Sequence, residues 1–374
     1  MNMTRSHLIR LYPNKAQATM LAKTAGAARF CYNWGLARWN EMYACGEKCG
    51  SYELARLWTQ ERPEWSKEVY RGVQTKALLN LGGAFTAFFK KTKGKPKPHK
   101  KGKHDSFYVD NAHARILSDY LIRLPKIGDV RMAEKLRFSG KIMRYTVSRA
   151  ADAWYIGVTV EMPDAEVDRE VSSPVGVDVG IEHWAVASDG SVLDAPKSIA
   201  RRTKRLKRYQ RIMARRKKGS SNRRKARAKV VREYKRIADI KNDAIHKFTA
   251  ALVKNHDLVC CEDLNVKGIG RSTKGIRRGV HRSCMGELRR QFAYKARHYV
   301  EVNRFFPSSK RCSGCGSIKN ELKLSDRTYR CEACGLVLDR DYNASVNLRN
   351  EGLRIYTEGH SGHSREAVGA CGGC

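Results

Sequence analysis

Cysteines 312, 315, 331 and 334 place the hardest constraint on this chain. Their spacing, C-x2-C-x15-C-x2-C, is the one at which two short knuckles set four thiolates tetrahedrally around a single zinc ion. Thiolates are soft ligands, and a closed four-sulfur site leaves no position open for chemistry, so the expected work of this site is to hold shape. Each knuckle carries a glycine directly after its second cysteine, which separates the set from ordinary core cysteines. Cys31, Cys260, Cys261 and Cys284 sit in apolar patterns and are expected in cores. Cys371 and Cys374 repeat the knuckle spacing without a surrounding fold, and no second zinc is expected there.

Charge narrows the class of partner. The 374 residues carry 74 Lys and Arg against 37 Asp and Glu, a formal net charge of +37, which is the footprint of a protein that meets a polyanion. A membrane surface is the rival, but no apolar run approaches the roughly 18 residues a span needs. No export signal is visible, and the expectation is a cytoplasmic protein with reduced thiols. With 41% apolar residues, the chain can bury two or three domain cores.

Patterning along the chain divides it. "HLIRLYPN" reads as a strand, residues 15 to 95 show helical apolar faces rich in aromatics, and a Lys, Gly and Pro stretch follows as a basic linker. From Phe107 to Met162, short runs such as "YLIRLP" and "WYIGVTVEM" read as strands, so the helical unit is expected to be an insertion into a β unit. At "SSPVGVDVGIEHWAVASDGSVLDA" an apolar strand ends in Asp178, and a second strand with a turn at Asp189 and Gly190 opens an α/β domain. A cationic helical segment covers residues 199 to 253, broken at "KKGSSN". Beyond it lie a strand ending in Glu262, a helix expected from about Cys284 to Val300, and a tail without periodicity.

Asp178 and Glu262 each end an apolar strand, and Asp341 opens a helix just past the second knuckle. Singly, each has a plain explanation as turn residue, surface charge or helix cap, and Asp339 is expected to be a cap. Two strand ends and a helix start can converge at one sheet edge, where three carboxylates repel unless a cation neutralises them. That arrangement fits two Mg2+ or Mn2+ ions acting on a phosphodiester.

"GVDVGIEHWAV", "CEDLN" and "DRDYNASVNL", with the four-cysteine knuckles between the second and third, resemble the three RuvC-like motifs of the TnpB (OrfB) nucleases of insertion sequences, relatives of type V CRISPR effectors. "RLYPNKAQ", "ARFCYNWGLA", "KGSSNRRKA" and "FFPSSKRCSGCG" extend the resemblance to about residue 350. It implies an α/β multidomain fold: a β-barrel wedge domain over 1–13 and 104–171, and a helical recognition domain with basic linker over 14–103. The RuvC-like (RNase H-like) nuclease domain would cover 172–308 and 337–352, a zinc ribbon 309–336 and a flexible tail 353–374. It implies a monomeric, RNA-guided double-stranded DNA endonuclease with a transposon-derived guide RNA, recognising a short adjacent DNA motif. Asp178, Glu262 and Asp341 would hold two catalytic Mg2+, and Cys312, Cys315, Cys331 and Cys334 one structural Zn2+. An RNA-guided repressor of the same fold, a zinc-ribbon binding protein without chemistry, and a strand-transfer transposase stand beside it; the residues do not separate hydrolysis from transfer.

Arg201, Arg202, Lys204, Arg205, Arg208, Arg215, Arg216, Lys217, Lys218, Arg223, Arg224 and Lys225 have almost no acidic partners in sequence, so the cationic helices are expected to meet phosphates of guide RNA and heteroduplex. Arg71, Gln74, Thr75 and Lys76, on one helix of the recognition domain, are the candidates for reading base edges of the adjacent motif. Tyr32, Trp34, Trp39 and Tyr43 can stack on bases, although their helical spacing favours core packing.

Overall fold

The computed structural model describes residues 2–360 apart from 48, 104, 164–169, 272–278, 281–282 and 323–325. The chain divides into two units, residues 1–165 and 166–374, each with its own core.

In the first unit the N-terminal strand β1 (Asn2–Tyr12) joins strands that follow some hundred residues later: β2 (Ser106–Asp110), β3 (Arg115–Ser118), β4 (Leu121–Leu124), β5 (Gly128–Met132), β6 (Lys141–Ala150) and β7 (Ala153–Pro163). Their order is β2-β6-β7-β1-β5-β4-β3, with β1 antiparallel to both β7 and β5. Period-2 patterning sets the faces: Ile9 and Leu11 of β1 and Ile156, Val158 and Val160 of β7 point inward, while Leu8 is exposed. Among the described residues no ladder joins β2 to β3, so the pairing is an open series and not the closed barrel expected.

Helices α1 (Lys15–Ala44), α2 (Ser51–Glu61) and α3 (Arg71–Phe89) lie between β1 and β2 in the chain, as an insertion. A capping box starts α1: Asn14 Oδ1 accepts the Gln17 N–H at 2.8 Å, and Gln17 Oε1 accepts the Asn14 N–H at 3.0 Å. Tyr32 and Trp39 are buried, Tyr32 stacked on His99 at 3.8 Å and Trp39 on Phe85 at 4.2 Å, which favours packing over base stacking. The basic linker is pinned at His99, whose backbone N–H and C=O both bond the Asn33 amide.

In the second unit β8 (Pro174–Asp178), β9 (Ala185–Ala187), β10 (Val192–Leu193), β11 (Leu258–Glu262) and β12 (His298–Val302) form a sheet in the order β10-β9-β8-β11-β12. β8, β9 and β10 run antiparallel as a meander, while β8, β11 and β12 are parallel. Basic helices α4 (Lys197–Ala214) and α5 (Ser221–Asn255) fill the connection from β10 to β11, and α6 (Val266–Ile269) and α7 (Met285–Lys295) that from β11 to β12. A two-stranded hairpin, β13 (Thr328–Arg330) with β14 (Val337–Asp339), leads into α8 (Arg340–His360).

Two expectations are corrected. The helix expected to Val300 ends at Lys295, where Ala296 turns extended, and "HYVEV" forms β12 because its aromatic and β-branched side chains suit a parallel strand beside β11. The tail expected from residue 353 is helical to His360: Tyr356 is buried and its hydroxyl bonds His298 Nδ1 at 3.1 Å. Residues 361–374, with Cys371 and Cys374, lie outside the described residues.

Candidate active site and metal centre

Parallel strands present their C-terminal ends at one edge of a sheet, and two of the three predicted carboxylates sit there. Val177 is registered against Cys261, so Asp178 and Glu262, the next residues on β8 and β11, emerge side by side. The third arrives on α8, and two glycines let that helix come close. A Cβ on Gly176 of β8 would meet the Ser345 carbonyl oxygen at 2.0 Å and the Arg349 nitrogen at 2.4 Å, and one on Gly352 would meet Cys260 Sγ at 2.3 Å. Helix and sheet therefore pack backbone on backbone, and the first turn of α8 carries Asp341 toward the same edge. Asp339 caps that turn as expected, its Oδ1 accepting the Asp341 and Tyr342 N–H groups at 2.9 and 3.0 Å.

Electrostatics shows the convergence. Burial, with the charges of Asp341 and Glu262, pushes the half-buried Asp178 carboxyl up to about 7, against the pull of Arg340 and the Val179 N–H. Burial also raises Glu262, with Arg289 opposing. Arg340 grips Asp341 Oδ1 through Nε at 3.0 Å and a second guanidinium nitrogen at 2.9 Å, and Arg327, paired with Glu182, stands 3.9 Å from Asp341 Oδ2. The three carboxylates are coupled through charge, but their oxygens are not drawn within 4.8 Å of one another; among the described residues only the four cysteines form such a ligand group. A hard divalent cation is the partner this donor set suits.

The four thiols fit a tetrahedral cation. Cys312 and Cys334 sulfurs lie 3.6 Å apart and those of Cys315 and Cys331 3.5 Å, close to the roughly 3.8 Å edge of a tetrahedron with 2.3 Å metal–sulfur bonds. The two knuckles share one turn: Gly316 N–H bonds the Cys312 carbonyl at 3.0 Å, and Gly335 N–H that of Cys331 at 3.1 Å. The Ser317 hydroxyl, with the Cys334 N–H, lowers Cys331, which favours the thiolate there, while Cys334, against the Leu336 N–H, is pushed up by the neighbouring sulfurs.

Sequence reasoning missed the residues that join these two sites. Asn343 and Asn347, buried on α8, donate to the Arg311 carbonyl at 2.8 and 2.6 Å, and Asn343 Oδ1 accepts the Ser313 N–H at 3.0 Å. They tie the first knuckle to the helix bearing Asp341, two residues away. Arg289 plays the matching part beside Glu262, donating to the Leu264 carbonyl at 2.6 Å, Asp263 at 3.0 Å and Glu301 at 2.7 Å. Asparagine spacing along a helix start was the only sequence signal for the first pair, and Arg289 offered none.

Of the cationic candidates, Arg201, Lys204, Arg208, Arg215, Arg216, Lys217, Lys218, Arg224 and Lys225 are exposed on α4, the following turn and the start of α5. Arg202 and Arg205 face the buried Glu233 at 3.5 and 3.4 Å. Arg223 closes the end of α4 by donating to the Met213 and Arg216 carbonyls at 2.8 and 2.9 Å. In the first unit Arg71 is exposed and donates to Thr59 at 2.8 Å, Thr75 is half-buried and Lys76 is exposed. Gln74 is corrected: it is fully buried, with Trp58 Nε1 donating to its Oε1 at 2.8 Å and its Nε2 donating to the Ser66 carbonyl at 2.8 Å, so its amide has no reach to a base edge.

Known proteins match this chain along its length. Residues 157–273 match the OrfB_IS605 family, described as probable transposase, and residues 286–348 the Cas12f1-like TNB domain. Residues 1–48 match a family described as a helix-turn-helix domain, although residues 2–44 hold one strand and one unbroken helix. A protein of Escherichia coli (strain K12) named putative RNA-guided DNA endonuclease InsQ is 31% identical over 92% of this chain and 91% of its own. A putative RNA-guided DNA endonuclease of Streptomyces pristinaespiralis is 33% identical over 93% and 89%. The protein in a Cas12f1–sgRNA–target DNA complex shares the fold, with a TM-score of 0.58 and 13% identity over 93% of this chain and 99% of that one. No helix among the described residues is long and apolar enough to cross a membrane. Relatives above 30% identity along nearly the whole of both chains show that this chain belongs to the TnpB (OrfB) family.

Proposed function

We propose that this protein is an RNA-guided endonuclease that cuts double-stranded DNA beside a short motif, with Asp178, Glu262 and Asp341 as the catalytic set. The observation that carries the reading is the placement of these side chains, on two adjacent parallel strand ends and a helix start packed on the same sheet, where burial first and then the charges of Asp341 and Glu262 raise Asp178. Relatives named RNA-guided DNA endonucleases, matched over nearly their full length, support the activity and the guide RNA. The β10-β9-β8-β11-β12 order, with three parallel strands and an antiparallel meander, supports an RNase H-like (RuvC) domain over 172–308 and 337–352. The four thiols support a structural Zn2+ in a ribbon over 309–336. A wedge over 1–13 and 104–171 and a recognition domain over 14–103, reading DNA through Arg71, Thr75 and Lys76, complete the assignment.

Asp178, Glu262 and Asp341 would hold two Mg2+, which when bound supply an activated water and stabilise the leaving oxygen. The chain's own residues prepare that edge. Glycine contacts set the helix–sheet distance, Asn343 and Asn347 fix the ribbon against α8, and Arg289 holds the loop after Glu262. Arg340 balances the charge of Asp341.

Asp178→Ala, Glu262→Ala and Asp341→Ala are each expected to abolish cleavage of a guide-matched duplex in Mg2+ while leaving its binding close to wild type. Robust cutting by any one of the three removes that residue from the site. Cut ends that are free, with no joined product, match hydrolysis; joined products match strand transfer.

A further inference from the structure

Between the two basic helices lies a cavity of about 230 Å3 that the catalytic edge does not use. Tyr209, Ile212 and Arg216 of the α4 side and Asn222, Lys225, Ala226 and Lys229 of α5 line it. Three of these are cations, none is acidic, and among the described residues Arg216, Lys225 and Lys229 take part in no ion pair. Unpaired cations are common on α4 and α5, but these three share one cavity, and it lies beside arginines that are engaged: Arg202, Arg205 and Arg236 surround Glu233 at 3.5, 3.4 and 3.1 Å, and its side chain is only 2% exposed.

The engaged arginines shape the unengaged pocket. Glu233 fixes Arg205, whose Nε donates to the Tyr209 hydroxyl at 3.0 Å and whose guanidinium carbon lies 5.5 Å from the ring centre. Lys229 Nζ lies 5.8 Å from the same ring, so the ammonium is drawn to the pocket's rim before any ligand arrives. With its oxygen accepting from Arg205, the Tyr209 hydroxyl keeps a proton to donate. Asn222 adds an exposed amide with both donor and acceptor atoms.

We infer that this cavity is a seat for one ribonucleotide of the guide RNA: Arg216, Lys225 and Lys229 take the phosphate, and the Asn222 amide meets the ribose 2′-hydroxyl. The inference rests on the RNA-guided reading above and deepens it. Its volume falls below the roughly 300–1,000 Å3 of drug-sized sites, which suits a phosphate and its sugar rather than a free cofactor. A 2′-hydroxyl both donates and accepts, and is what lets a protein tell RNA from DNA at one position. A paired amide answers that chemistry; a bare cluster of lysines holds either polymer.

The test uses the full chain with two labelled probes, a hairpin RNA and the DNA of the same sequence, over a range of salt. Lys225→Met with Lys229→Met keeps the aliphatic stems and is expected to flatten the log–log salt dependence of RNA binding by about 0.7 or more, one phosphate contact. Asn222→Ala is expected to weaken RNA binding roughly fivefold, a single net hydrogen bond, and to leave DNA binding unchanged. An unchanged salt slope in the double variant overturns the phosphate seat, and an equal loss for RNA and DNA in Asn222→Ala overturns the ribose assignment. Both sites are exposed, and matching thermal melts establish that folding is intact. Guide-directed cutting by wild type is assayed in parallel, so variants that bind like wild type while cutting persists refute the seat alone, whereas wild type without guided cutting refutes the reading beneath it.

Discussion

Ionised, Asp178 must share the end of β8 with two other carboxylates, and burial denies it much of the water that would screen them. Its folded-state pKa of about 7 lies above the unfolded value of about 3.9. Between those two values the folded protein binds more protons than the unfolded one, so the stability of chelator-treated protein falls as pH rises from about 4 to about 7 and then levels. Asp178→Asn removes the titration, and its melting temperature is expected to follow a flatter profile over that window. Parallel profiles for the two proteins mean that neither burial nor the neighbouring carboxylates raise Asp178 in the folded protein. The same scale shows where sequence reading stops. The carboxylates are legible as a set, because two strand ends and a helix start can converge at one sheet edge, whereas Gln74 reads as a polar helix face. Only the fold reveals that its amide joins Trp58 to the Ser66 carbonyl inside a core.

At the scale of elements, the site depends on how close α8 lies to the sheet. Gly176→Ala would set a methyl carbon against the backbone of Ser345 and Arg349, atoms that cannot rotate away. Overpacking of this kind costs about 1–3 kcal/mol, and because it shifts α8, cleavage is expected to fall by far more than stability alone explains. A urea melt and a cleavage assay on one preparation check this; full activity with full stability would mean that the helix is not held so tightly. The ribbon is the second lever. Zinc ligation contributes about 10 kcal/mol or more in isolated finger peptides, so Cys331→Ser is expected to lose the metal and disorder the knuckles. Asn343 and Asn347 connect those knuckles to α8, and cutting is expected to fail with them. Active protein with clearly less than one zinc per chain by elemental analysis would contradict this. Strands β8 and β11, the break between α4 and α5 and the four-cysteine hairpin were all legible: the strands as apolar runs ending in an acid, the break from "KGSSN", and the hairpin from its knuckle spacing. β12 was not: five residues directly after a helix carry too few periods to separate strand from helix, and its partner β11 decides the matter. The last turns of α8 escaped for a similar reason, since their one strong anchor, Tyr356 on His298, is a tertiary contact.

For the whole molecule, a net charge of +37 is destabilising until a polyanion relieves it. Folding and guide binding are thereby linked: any ligand that binds only the folded chain raises its stability. Such coupling also explains why so much positive charge sits on α4 and α5 with few acids to answer it. The central claim, that RNA directs where these carboxylates cut, is tested most directly by redirecting the enzyme. Purified protein carrying its guide RNA is given two duplexes in Mg2+, identical in the adjacent motif and different in the segment the guide pairs with, and the terminal segment of the RNA is then exchanged. The account predicts that cutting moves from the first duplex to the second with the exchanged RNA. Cutting of both duplexes with equal efficiency, whichever RNA is present, would contradict it.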